Sequence, residues 1–224
     1  MKLDNEIKLD FSDVLIRPKR SELSSRSEVD LIRKITFKYS NYIWEGLPII
    51  CSNMDTVSTI DMYKKISEFK MLMCFHKSID CHNIIQNNCD PNYFMLSTGI
   101  SDDDLISLKL NINKLYQHGI DVKFICIDVA NGYMFKLIEF CKQVREMYPN
   151  KIIVAGNVVT RELVEELIIN GKVDIVKVGI GSGAVCTTRL QTGVGMPQFS
   201  SVMECADAAH GLGGHIISDG GICY

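Results

Sequence analysis

Short apolar runs that end in polar residues recur along the whole chain. Each run has four or five residues, the length of a buried strand. Between the runs, apolar residues such as Leu105, Leu108, Ile112 and Leu115 follow the spacing of an amphipathic helix. The predicted strands cover residues 47–50, 71–75, 93–96, 124–127, 152–155, 175–178 and 215–218.

Strands that alternate with helices predict a parallel sheet with crossover helices, either a closed (β/α) barrel or an open doubly wound sheet. An open dinucleotide-binding sheet has its Gly-x-Gly-x-x-Gly turn after the first strand. Here the glycine-rich turn follows the sixth run, and Cys186 stands where the third glycine would help the helix to pack. This position disfavours the dinucleotide fold.

The glycine-rich turn at 179–189 is the first candidate site. Its alternating glycines let the backbone bring amides or carbonyls close to an anion or a cation, and the residues alone do not choose between the two. Cys186 follows within this loop, among Gly, Thr and Arg rather than in an apolar run. A buried structural cysteine is the common alternative, but a neighbouring cation favours a nucleophilic thiolate.

Polar residues at the ends of other runs are further candidates. Lys77, Asp128 and Asp219 each follow a predicted strand, where barrel and open-sheet enzymes place their sites. Ser25 and Arg26 lie in a basic, serine-rich loop that either holds a phosphate or is simply solvated. A group of soft ligands has no spacing typical of zinc, and we expect no zinc site there: Cys74, His76, Cys81, His82 and Cys89.

Composition narrows the functional class. The chain has 224 residues, 46% of them hydrophobic, and a net charge of −3. These values predict a single globular domain over residues 1–224, with no electrostatic attraction to nucleic acid and no membrane-spanning segment. Nine cysteines without a CxxC pair are typical of reduced thiols, which points to the cytoplasm.

Several motifs together resemble the family of inosine monophosphate dehydrogenase and guanosine monophosphate reductase. The central one is Gly-Ile-Gly-Ser-Gly-Ala-Val-Cys-Thr-Thr-Arg at 179–189. Others are Leu-Asp-Phe-Ser-Asp-Val-Leu-Ile-Arg-Pro-Lys-Arg at 9–20, Asn-Met-Asp-Thr-Val at 53–57, Ala-Gly-Asn-Val-Val-Thr at 155–160 and Ser-Asp-Gly-Gly at 218–221. The pair His76-Lys77, the segment Asp-Val-Ala-Asn-Gly-Tyr at 128–133 and the lack of an insertion near Asp103 favour the reductase branch.

The resemblance implies a (β/α)8 TIM barrel that converts GMP to IMP and ammonia with NADPH, in a homotetramer. It implies that Cys186 attacks C2 of the purine and that Thr188 assists proton transfer. It implies NADPH contacts at Ser25, Arg26, Lys77, Asp128, Val129, Ala130, Ile180 and Gly181. It also implies GMP contacts at Asp219, Gly220 and Gly221, and K+ held by a loop that contains Gly181, Gly183, Cys186 and Arg189.

The chain departs from the family pattern in two ways. Ser182 replaces a proline and Ala184 a serine, so we expect a looser loop and one hydroxyl fewer near the substrate phosphate. About seven strands are present, and the family's eighth strand and flap are not, so we expect a truncated, incomplete barrel with little or no activity alone. The alternatives are oxidation of IMP by a dehydrogenase and an inactive fragment that only binds nucleotide or oligomerises.

Overall fold

Two sheets contain all the strands of the computed structural model, which describes residues 5–222. One is a two-stranded antiparallel hairpin, and the other is a seven-stranded parallel sheet. In chain order the strands are β1 (Arg33–Thr36), β2 (Ile43–Gly46), β3 (Ile50–Cys51), β4 (Leu72–Phe75), β5 (Phe94–Thr98), β6 (Phe124–Asp128), β7 (Ile152–Val158), β8 (Ile175–Val178) and β9 (His215–Ser218).

Helices connect the successive parallel strands. The helical periodicity predicted from the sequence is confirmed. In chain order the helices are α1 (Ile60–Glu68), α2 (Cys81–Gln86), α3 (Asp102–Gln117), α4 (Phe135–Met147), α5 (Arg161–Ile169), α6 (Thr188–Thr192) and α7 (Gln198–Gly211). None of the helices described within residues 5–222 has the length and apolarity that a membrane span requires.

The order of the parallel strands distinguishes the two architectures that the sequence left open. Strands β3 to β9 pair strictly in chain order, without the reversal that defines a doubly wound sheet. The sheet therefore curls as an incomplete (β/α)8 barrel, as the resemblance implied. All seven predicted parallel strands are present, although the first is only Ile50–Cys51.

The sheet is buried on both faces, because successive side chains of a strand point to opposite sides. In β7, Ile152 and Val154 contribute to the inner core, whereas Ile153 and Ala155 pack under the helices. The hairpin β1–β2 was not predicted, because most of its residues are exposed and the pattern is weak. Its buried Trp44 contributes to the inner core.

A buried ion pair joins the region of the β1–β2 hairpin to the parallel sheet. The carboxylate of Asp174 is fully buried and accepts a hydrogen bond from Arg145 Nη2 at 2.6 Å. It also accepts bonds from the backbone N–H groups of Tyr39 and Ile153, both at 2.9 Å. Asp174 thus connects helix α4, strand β7 and the segment between β1 and β2.

We predict that Asp174→Ala lowers the free energy of unfolding by about 3–5 kcal/mol, because it leaves the Arg145 charge buried without its partner. Urea denaturation followed by circular dichroism measures the change. The control is Asp121→Ala, which removes a half-exposed carboxylate paired with Lys123 and Lys151. Such pairs contribute about 0–1 kcal/mol. Equal losses in the two variants would contradict the role assigned to Asp174.

Candidate functional site

The loop after β8 follows a path that requires glycine. Gly179 and Gly181 have φ angles of +149° and +70°. A Cβ atom at Gly179 would lie 2.5 Å from the backbone oxygen of Asp219, and one at Gly181 would lie 2.6 Å from Cγ of Arg189. The loop is therefore pressed against both the end of β9 and its own returning segment.

Cys186 lies on this loop with its thiol exposed to solvent. Its Sγ is 3.3 Å from Oγ1 of Thr188, at the start of α6. Hydrogen bonds from the Thr188 hydroxyl and backbone N–H lower the pKa of the thiol, and the charge of Arg189 contributes less. The sequence pointed to a neighbouring cation as the cause, whereas the hydroxyl two residues away has the larger effect.

The sequence suggested that Arg189 acts on the Cys186 thiol, but its guanidinium mainly contacts other parts of the chain. Its Nη1 is 3.2 Å from Oδ2 of Asp10, its Nε donates to the carbonyl of Ile180 at 3.4 Å, and its Nη2 donates to the carbonyl of Met196. Asp10 also accepts a hydrogen bond from the backbone N–H of Gln198. The guanidinium therefore connects both ends of the loop to the N-terminal segment.

The residues predicted to bind substrate lie against the loop that bears Cys186. Gly220 and Gly221 adopt φ angles of +73° and +77°, and a Cβ atom at Gly220 would lie 3.1 Å from Cα of Gly183. The hydroxyl of Ser182 donates to the backbone carbonyl of Asp219. The Ser182 side chain therefore links the two segments, and the looser loop expected from the loss of proline remains a prediction.

A polar cluster lies beside these loops at the carboxyl-terminal edge of the sheet. Lys177 Nζ is 2.8 Å from Asp128 Oδ1 and 3.4 Å from Asp219 Oδ2. Asn53 donates to Asp128 at 2.6 Å, and Asn157 donates to Asp219 at 2.6 Å. The two aspartates that the sequence singled out therefore share one ammonium group.

Sequence reasoning missed Lys177, Asn53 and Asn157. Burial lowers the pKa of Lys177, but Cys126, Asp128 and Asp219 raise it more, so the amine stays protonated. The available signal was a lysine in the middle of the apolar run Ile-Val-Lys-Val, since a buried lysine needs a charged partner. Asn53 and Asn157 belong to the motifs at 53–57 and 155–160, but the sequence does not indicate what either side chain contacts.

The other residues predicted to bind the cofactor differ in their exposure and in their partners. Lys77 Nζ forms an ion pair with Asp104 Oδ1 at 3.0 Å, at the N-terminus of α3. Arg26 is exposed and forms no ion pair with any residue in the range 5–222, and Ser25 caps the short helix Arg26–Glu28. Val129 is half-buried, Ala130 is exposed, and Ile180 is buried.

The soft-ligand group of the sequence is dispersed. Cys74, Cys81 and Cys89 are buried in the cores, and His76 Nδ1 is hydrogen-bonded to Ser78 at 2.7 Å. No cluster of three or more His, Cys, Asp or Glu that could hold a metal is found within residues 5–222.

A cavity of about 450 Å³ lies inside the curled sheet, beneath the polar cluster. Its walls are mostly apolar, with Trp44 and Phe124 towards the hairpin and Lys177 and Asp219 towards the loops. A concave, mainly apolar pocket with a few convergent polar groups is typical of a small-molecule site.

Comparisons with known proteins agree on one family. Residues 94–224 match the family described as IMP dehydrogenase / GMP reductase domain. A protein of Buchnera aphidicola subsp. Acyrthosiphon pisum named GMP reductase is 53% identical over 226 residues, which cover 99% of this chain and 63% of the relative. GMP reductase of Tolumonas auensis is 50% identical over 226 residues, covering 99% of this chain and 64% of the relative. GMP reductase 2 of Bos taurus is 52% identical over 223 residues, covering 98% and 63%. The chain thus spans less than two thirds of the length of these relatives.

We predict that Thr188→Val slows alkylation of Cys186 by iodoacetamide at pH 7 and moves the midpoint of its pH–rate profile upward. The reason is that the thiolate loses the hydrogen bond from the hydroxyl that favours it. Peptide mass spectrometry measures the rate at Cys186 alone. The control is Thr187→Val, because the Thr187 side chain does not cap α6. Equal profiles for wild type and Thr188→Val would contradict this role.

Proposed function

The chain belongs to the IMP dehydrogenase / GMP reductase family, and on that premise we propose that it reduces GMP to IMP and ammonia with NADPH. The observation that supports this most directly is the packing of the Cys186 loop against the turn at Asp219–Gly221. A nucleophile and a nucleotide-binding turn need this proximity, because the purine is attached to the ribose that the turn would hold.

The proposed chemistry begins at Cys186. Its thiolate attacks C2 of the purine, the C2–S bond forms, and the bond from C2 to the exocyclic amine breaks as ammonia leaves. Thr188 lies within hydrogen-bond distance of the sulfur and would deliver a proton to the departing amine. NADPH, when bound, supplies the hydride that reduces C2. The C–S bond then breaks, and the thiolate of Cys186 is regenerated as IMP forms.

In this proposal Asp219 accepts hydrogen bonds from the ribose hydroxyls, and the backbone of Gly220 and Gly221 approaches the phosphate. Asn157 donates a hydrogen bond to Oδ2 of Asp219 and Lys177 forms an ion pair with the same oxygen at 3.4 Å, whereas Oδ1 accepts from none of the residues in the range 5–222. One carboxylate oxygen is thus available to a ligand. Backbone amides in glycine turns with positive φ are suited to binding an anion.

The cofactor would contact Ser25, Arg26, Lys77, the segment Asp128 to Ala130, and the loop at Ile180 and Gly181. The exposed guanidinium of Arg26 is a suitable partner for a phosphate of NADPH, since Arg binds phosphate through several parallel N–H groups. Lys77 would contact the cofactor only if its ammonium broke the ion pair with Asp104 or bound both groups at once.

Potassium would be held by backbone oxygens of Gly181, Gly183, Cys186 and Arg189. The carbonyl of Gly183 accepts from the Cys186 N–H at 2.9 Å, and that of Arg189 accepts from the Gly193 N–H at 3.0 Å. Each carbonyl oxygen has a second lone pair, so both fit a cation. The guanidinium of Arg189 has only hydrogen-bond donors, so Arg189 would bind the cation through its backbone carbonyl oxygen. The bound cation would fix the loop that presents the thiol.

We also propose a cytoplasmic homotetramer. The N-terminal segment exposes Leu15 and Ile16, each 97% accessible, and the start of α4 exposes Phe135 at 88%. Large apolar side chains with this exposure are suited to contacts between subunits.

The proposed function predicts that a purine nucleotide with an electrophilic halogen on its six-membered ring labels Cys186 in preference to the other thiols. GMP should slow the labelling by competition, and Cys186→Ala should abolish it. Peptide mass spectrometry locates the adduct. The control is a simple alkylating reagent that carries no nucleotide. GMP should slow its reaction with Cys186 only by occupying the site around that thiol. Labelling that GMP does not slow would contradict the proposal.

Oxidation of NADPH followed at 340 nm then distinguishes the reductase from the dehydrogenase. Whatever turnover the chain supports, down to a small residual rate, should use GMP with NADPH in preference to IMP with NAD, and Cys186→Ala should eliminate it. Turnover of IMP with NAD alone would contradict the assignment to the reductase branch.

A further inference from the structure

Lys177 is a charged side chain inside the curled sheet. Alternate residues of β8 face opposite sides, so that Val176 and Val178 pack under the helices while Ile175 and Lys177 line the inner cavity. The side chain of Lys177 is only 11% exposed. A buried charge is costly unless it is paired, so its partners indicate why it is there.

The partners come from the carboxyl ends of three strands. Asp128 ends β6, Asp219 follows β9, and Asn53 follows β3. Lys177 Nζ lies 2.8 Å, 3.4 Å and 3.5 Å from oxygens of these three residues. Cys126 and Cys74 are the other titratable groups that face the amine. One cation therefore lies between two carboxylates.

The neighbouring strand leaves room for this side chain. Gly156 on β7 is paired in register with Lys177, and a Cβ atom at Gly156 would lie 2.6 Å from Cβ of Lys177. Any other residue at 156 would push the lysine stem aside. The position of the ammonium thus depends on a close approach between two strands as well as on its charged partners.

We infer that Lys177 is a positioning residue that holds Asp219 in its ligand-binding orientation and links it to Asp128. The inference rests on the proposed function, in which Asp219 meets the ribose and Asp128 meets the cofactor. Lys177 and Asn157 both contact Oδ2 of Asp219, which leaves Oδ1 without a partner among residues 5–222 and available to a ligand. Without the ammonium, two carboxylates face each other with no cation between them, so they repel or share a proton.

The test measures GMP affinity by titration calorimetry for wild type and Lys177→Met between pH 5.5 and pH 8. We expect the variant to bind GMP about tenfold more weakly, because the partly buried Asp219 carboxylate loses its ion-pair partner. The ratio of the two dissociation constants should grow as the pH falls, because two facing carboxylates without a cation between them come to share a proton. Taking the ratio at each pH cancels the titration of the GMP phosphate.

The matched control is Lys151→Met. Lys151 is also a half-buried lysine, 16% exposed and paired with Asp121 at 2.9 Å, but it lies just before β7, at the opposite end of the barrel. It should leave GMP affinity unchanged at every pH. A purely structural role for Lys177 would lower the melting temperature of Lys177→Met without separating its GMP affinity from that of Lys151→Met.

The double variant Lys177→Met/Asp128→Asn covers a failure of the single variant to fold, because it removes one cation and one anion together. It should still bind GMP several-fold more weakly than wild type, since Asp219 has lost its ammonium partner. Wild-type affinity in either folded variant would overturn the inference alone. If neither variant folds, Lys177 is a folding residue and the positioning role is rejected. If wild type binds no GMP, the proposed function fails and the inference fails with it.

Discussion

The ammonium of Lys177, shared between two carboxylates, is the interaction on which the rest of the site depends. Asp128 ends β6 and Asp219 follows β9, and these strands are not neighbours, because β7 and β8 lie between them. Two anions at this spacing repel unless a cation lies between them. By supplying that cation from β8, the chain pairs both carboxylates at the carboxyl-terminal edge of the curled sheet.

The Cys186 loop depends on this edge. Its starting residue Gly179 accepts a hydrogen bond from Asn157, which also donates to Asp219. Ser182 then bonds to the backbone of Asp219, and Arg189 fixes the far end of the loop to Asp10. The thiol is thus exposed at the tip of a segment whose two ends are fixed. An exposed thiol with a lowered pKa, on a supported loop, is suited to nucleophilic attack.

The sequence predicted the parallel strands and their helices because buried strands leave a strong local pattern of apolar runs. It did not predict the β1–β2 hairpin, where Arg33 and Lys34 face solvent and obscure the alternation. Asp128 and Asp219 were identifiable because each follows an apolar run, and Cys186 because it lies in a glycine-rich loop among Gly, Thr and Arg. Lys177 was not, since its meaning depends on Asn53 and Asp219, which are far away in sequence and meet only when parallel strands end at one edge.

The central claim is that the Cys186 loop and the turn at Asp219–Gly221 form one purine nucleotide site. A crystal structure of the chain with bound GMP tests it most directly. In that complex, C2 of the purine should lie against Sγ of Cys186 while a ribose hydroxyl donates to Asp219. A nucleotide bound elsewhere, or bound with its purine directed away from Cys186, would contradict it.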